Sequence, residues 1–102
     1  MDKKFAKAIR NRLADLREAD EAYARAEGHR GRCRHQQAAK QAEHAADLYR
    51  GCGLGVLAKK AYAAAADAYA HVEDVESSDR CGLHAKALPV YWDESNHDTK
   101  WG

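Results

Sequence analysis

The densest reactive stretch of this chain is His29-Arg30-Gly31-Arg32-Cys33-Arg34-His35. Three arginines and two histidines in seven residues can grip phosphate or a carboxylate patch. Each guanidinium fork offers two parallel N–H groups to either anion. If a helix begins near Arg32, its free N–H groups add positive potential at the same place. Nucleic acid usually asks for a broader basic surface. Lys3, Lys4, Lys7, Arg10 and Arg12 would extend it, but an acidic run between 15 and 27 intervenes. A plain solvated loop is the ordinary reading of such a segment. As a binding site, Arg30, Arg32, Arg34 and His35 suit an acidic protein patch better than nucleic acid.

Other reactive residues are more scattered. Cys33 and His35, with Cys81 and His84, have the ligand types of a tetrahedral zinc site. Only the second pair has ordinary spacing, and a half-buried thiol with surface histidines is the simpler expectation. Cys33 among arginines would have a lowered thiol pKa. A working nucleophile also needs an oriented base and an oxyanion site, and no strand-turn-helix pattern supplies them. The glycines at 51, 53 and 55 lack the preceding strand and the lysine of a phosphate loop. No catalytic residue, metal or cofactor is therefore expected, and the chain is not expected to be an enzyme. Tyr49, Tyr62 and Tyr69 could line a pocket between helices. At helical spacing they read better as core edge, with hydroxyls reaching water. The stretch 88–92, with Tyr91 and Trp92, could dock on a partner or fold back over the core, and folding back is favoured for the stretch as a whole. Trp101 is unassigned.

These residues must be positioned by helices. Phe5, Ile9, Leu13, Leu16, Ala19, Tyr23 and Ala26 recur at three- and four-residue steps and predict a helix over 2–27. Asp2 is the candidate cap and Gly28 the candidate stop. A loop is expected at 28–31. A second helix is predicted over 32–50, with Ala38, Ala42, Ala45 and Tyr49 on one stripe. Gly51-Cys52-Gly53 breaks it. A third helix is predicted over 54–77, on Leu57, Ala61, Ala65, Ala68, Val72 and Val75. Cys81-Gly82 is a turn candidate, and Pro89 ends any short helical turn before it. No long-period repeat is visible. Ala46, Tyr49, Gly53, Ala58, Tyr62 and Ala65 follow a small-aromatic-glycine pattern, so residues 46–65 resemble one tetratricopeptide unit. Gly55 departs from it, where an aromatic is usual. The resemblance covers about a fifth of the chain and implies a helical hairpin at 51–53.

Composition bounds the rest. Of 102 residues, 22 are alanine and only thirteen are Val, Ile, Leu or Phe. Alanine favours helix but builds a thin core, which a partner or a second copy could complete. The net charge of +1 argues against a bulk polyanion binder. It is unevenly placed: residues 1–35 carry ten Lys/Arg and six Asp/Glu, net +4, and 36–102 carry seven and ten, net −3. Such a dipole can steer a partner or drive self-association. Three cysteines without paired spacing fit a reducing, cytoplasmic setting. No signal peptide or membrane span is expected.

The expected fold is all-α: a small antiparallel bundle of three helices over 1–80, with a partly ordered C-terminal extension over 81–102. The expected function is non-enzymatic binding through a protein–protein surface, with a homodimer plausible. One concrete form is a phage-type inhibitor of a bacterial defence complex, in the manner of anti-CRISPR proteins, by analogy of size and composition alone. The alternative is a nucleic-acid-associated regulator using the basic 29–35 segment. The residues expected to carry binding are Arg30, Arg32, Arg34, His35, Tyr91 and Trp92.

Overall fold

The computed structural model describes residues 3–88, the side chain of Phe5 excepted. These residues form four helices, α1 (Lys3–Gly31), α2 (His35–Gly51), α3 (Gly55–His71) and α4 (Val75–Ala87), and no strand. The all-α class holds, but the count of three does not. Extensive packing joins α1 to α2, α2 to α3 and α3 to α4, so the helices follow one another as an array.

The extra helix arises at 72–74. No glycine or proline interrupts the chain there, and Val72 and Val75 prolong an apolar stripe. Yet Glu73 takes a left-handed φ of 60°, and α3 stops before it. Asp74 then caps α4, its Oδ1 accepting the Ser77 N–H at 3.1 Å. Val72 and Val75, expected on the apolar stripe of one continuous third helix, are 40% and 65% exposed. Cys81-Gly82 is helical rather than a turn, and α4 runs straight through 80/81.

The three turns share one geometry. Cys33, Gly53 and Glu73 all have positive φ, at 59°, 76° and 60°. In each turn the next amide reaches back across the helix end. Arg34 N–H donates to the His29 carbonyl, Leu54 to Tyr49 and Asp74 to Tyr69, at 2.8, 2.9 and 3.0 Å. The left-handed residue itself donates to the carbonyl three before it, Arg30, Arg50 or Ala70. This pair of bonds is the Schellman ending, which satisfies carbonyls that a helix end would strand. Arg34, Leu54 and Asp74 then accept the first bond of the following helix, from Ala38, Ala58 and Ser78. Helix plus turn thus repeats every 20 residues, a regularity that widespread alanine hides in the sequence. Gly28 lies inside α1 because the left-handed position falls at Cys33, five residues later.

The buried core among the described residues is thirteen alanines with Tyr49, Tyr62, Tyr69 and Cys81. Methyl side chains allow close helix approach, but each adds only about 0.8 kcal/mol of burial per methyl-sized group. The tyrosines supply the missing bulk. α1 has 29 residues and α2 only 17, so the start of α1 overhangs its neighbour. Ala19, Ala22 and Ala26 are buried, whereas Ile9 and Leu13 are 41% and 60% exposed. The Cys52 thiol, 3.7 Å from the Arg12 carbonyl, marks where the α2 end meets α1.

Candidate functional site

The α1–α2 turn carries the arginines. Arg30 lies in the last turn of α1, Arg32 in the connection, and Arg34 at the position that caps α2. All three are exposed, and His35 is half-buried. Arg30 pairs with Glu27 at 3.7 Å along its own helix. Arg32 and Arg34 make no ion pair among the described residues. The Arg34 side chain makes no capping bond to α2, so its guanidinium is not committed to holding the fold.

His35 brings this turn against the α3–α4 turn. Its ring stacks on that of His71, with centroids 4.4 Å apart. His71 Nδ1 lies 2.9 Å from the Asp67 carbonyl, which receives its hydrogen in that tautomer, and 3.9 Å from the Asp67 carboxylate. Two and three residues beyond His71 stand Glu73 and Asp74. The serine bonds to Asp74 hold its carboxyl below the usual range, so it is charged at neutral pH. One end of the array therefore presents an arginine turn beside an acidic turn. The sequence pointed to the first half of that surface and not to the second. The acidic half became a neighbour only through a turn that carries no glycine or proline.

The tyrosines do something different from the expectation that their hydroxyls reach water. Each donates to a carboxylate on a neighbouring helix. Tyr49 bonds Asp20 Oδ1 at 2.5 Å, Tyr62 bonds Asp47, and Tyr69 bonds Glu43 Oε1 at 2.8 Å. Glu43 is also held by a fork from Arg80 on α4, at 2.9 and 3.1 Å. Arg80 in turn sits over the Tyr69 ring. Burial first, and then the carboxylate, pushes Tyr49 up to about 12 and moves Tyr62 and Tyr69 further in the same direction. These hydroxyls are structural ties in their neutral form. Asp20, Glu43, Asp47 and Arg80 were not singled out in the sequence, where they resemble ordinary surface charges.

The cysteines and histidines considered for zinc are not assembled. Cys81 is fully enclosed, and burial followed by the nearby Glu43 pushes its thiol up to about 12. Cys33 is exposed at the turn. Among the described residues, no group of three or more His, Cys, Asp or Glu side chains is placed to hold a metal ion. No helix is long and apolar enough to cross a membrane among the same residues. Tyr91, Trp92 and Trp101 lie outside the described residues. No protein-family model matches the chain, and neither a curated protein nor a solved structure is detectably similar to it.

Proposed function

We propose that this protein is a non-enzymatic binding scaffold that captures a protein partner on the end of the array bearing the arginine turn. The observation that carries this reading is the pairing of two turns through His35 and His71. Exposed Arg30, Arg32 and Arg34 stand beside Glu73 and Asp74, so the surface is of mixed sign. A polyphosphate backbone is repelled by the acidic half. A folded protein with both charge signs can match it and gain specificity from the match. Arg32 and Arg34, which make no ion pair among the described residues, suit the role, since guanidinium groups are frequent in binding hot spots.

The finer form of the proposal is inhibition by occupying the partner's surface. A phage-type inhibitor of a bacterial defence complex is one instance. It draws support from a small, regular helical scaffold with its exposed arginines at one end. The proposal places the protein in the cytoplasm, where its three free cysteines remain thiols.

The test compares the wild-type chain with the R30E/R32E/R34E variant in capture from the native host, read by mass spectrometry. A specific protein should be retained by the wild type and lost by the variant, with the variant's melting curve unchanged. Capture that survives the triple change overturns the site. Salt-sensitive binding to random DNA, with nuclease-released material replacing a protein partner, overturns it in favour of the nucleic-acid reading.

A further inference from the structure

Among the described residues, every inner helix of the array has a neighbour on each side, while α1 and α4 have extensive packing on one side only. Helical arrays normally close such ends with a polar outer face, because an open end accepts another unit. Here each end helix keeps an exposed leucine among the charges of its outer face. On α1, Leu13 lies 60% exposed in a shallow groove formed with Arg10, Ala14 and Arg17. On α4, Leu83 is 66% exposed in a groove bordered by Glu76, Asp79 and Ala87, with Val75 exposed on the same helix.

The two faces carry opposite charge. Arg10 and Arg17 flank Leu13, and Glu76 and Asp79 stand beside Leu83. None of these four makes an ion pair among the described residues. The cations near the α4 groove do not cancel its sign. Arg80, which lines the same groove, is committed to Glu43 by its fork, His84 in that lining lies 3.4 Å from Arg50, and Lys86 borders Leu83 in the adjoining groove against the two carboxylates. Like faces would repel: two α1 faces oppose arginine to arginine, and two α4 faces oppose carboxylate to carboxylate. Only unlike faces combine leucine against leucine with arginine against carboxylate.

We propose that the chain associates head to tail, with α1 of a second copy seated on α4 of the first. The contact is heterologous, so each copy keeps one free end and the assembly grows as a ring or an open chain. A leucine pair with a few rim charges is a small interface. Association is therefore weak, concentration-dependent and screened by salt. This surface is separate from the arginine turn, and the R30E/R32E/R34E variant should associate as the wild type does. Failure here leaves the partner-capture reading standing, and the reverse holds too.

Sedimentation velocity on the full chain tests it with two charge-swapped variants, R10E/R17E and E76K/D79K. Wild-type mass should rise above the monomer with concentration at low salt. It should return to the monomer near 0.5 M salt, where screening acts within about 4 Å. Each variant alone carries like charges on both ends and should weaken association by at least about tenfold. An equimolar mixture should restore it, because the acidic α4 of the first variant meets the basic α1 of the second. The milder pair R17Q and D79N should weaken association partially, which guards against misfolding of the reversed forms. A wild type that stays monomeric overturns the proposal, as would be expected if residues 89–102 cover α4 of the same molecule. Association that ignores both reversals, or a mixture no better than its components, overturns it too.

Discussion

The middle of this array and its ends are built on opposite terms. In the middle, polar groups are tied across helices: Tyr49 to Asp20, Tyr62 to Asp47, Tyr69 to Glu43, and Glu43 again to Arg80. At the ends, Leu13, Leu83, Arg32 and Arg34 have no comparable partner among the described residues. The contrast follows from the core. Alanine seams bring helices close but enclose little apolar area. Bulk must then come from tyrosine, and a buried hydroxyl must find an acceptor or cost about 1–3 kcal/mol. The carboxylates of the middle are thus structural, and the free charges at the ends are available for binding. Changes in the middle should alter stability and spare binding, and changes at the ends should do the reverse.

The largest expected effect comes from alkaline pH, because it acts on three ties at once. The folded chain favours neutral Tyr49, Tyr62 and Tyr69, with Tyr49 moved from 10 to about 12 and the other two moved further upward. A pKa raised on folding means that the stabilisation is fully present below about pH 10 and is lost as pH rises through the folded values. The buried Cys81 thiol acts in the same sense. Absorbance at 295 nm and far-ultraviolet circular dichroism, followed together, should show three tyrosines ionising only as helix is lost. Full tyrosine ionisation near pH 10 with helicity intact would show that the hydroxyls are not tied.

What the sequence disclosed follows the same division. The 3.6-residue periodicity placed α1, α2 and the start of α3, and Gly51-Cys52-Gly53 marked the one turn that has a glycine at its left-handed site. The α3–α4 turn stayed hidden because Glu73 occupies that site, although Asp74 followed by Ser77 is an ordinary helix start. The arginine turn was legible because its charges are consecutive. The tyrosine ties were not, since Asp20, Glu43 and Asp47 lie 29, 26 and 15 residues from the hydroxyls they accept. Nothing in local spacing distinguishes them from solvated carboxylates. The 20-residue period was equally obscured: with alanine at about a fifth of all positions, many registers match about equally well.

A smaller effect is expected at Glu43, where three helices meet. Glu43→Ala strands the Tyr69 hydroxyl and releases Arg80, so it should cost about 2–3 kcal/mol. Glu43→Gln keeps an acceptor and should cost less. Adding Tyr69→Phe to Glu43→Ala should recover part of the loss, because no unsatisfied hydroxyl then remains. Urea titrations of these three variants and of Tyr69→Phe alone measure this. Simple additivity in the double variant would mean that the tie is not the source of the loss.

The smallest expected effect separates the two terms at a single turn. Cys33 and Glu73 hold left-handed backbone with a side chain, whereas Gly53 holds it without one. A non-glycine residue there crowds its Cβ against the following carbonyl. Glycine removes that strain but adds freedom to the unfolded chain. The strain term is the larger, so Glu73→Gly and Cys33→Gly should each stabilise by about 0.5–1 kcal/mol. For a domain of this size that raises the melting temperature by about 2–5 °C. Neither position ties two helices together, so the gain reports backbone geometry alone. Cys33→Gly leaves Arg30, Arg32 and Arg34 in place and should therefore stabilise without weakening partner capture. Glu73→Gly removes one acidic group from the mixed surface and should stabilise while lowering discrimination between partners. If both variants melt at or below the wild-type temperature, the left-handed turns are not strained. The repeat then rests on packing of the alanine seams rather than on its turns.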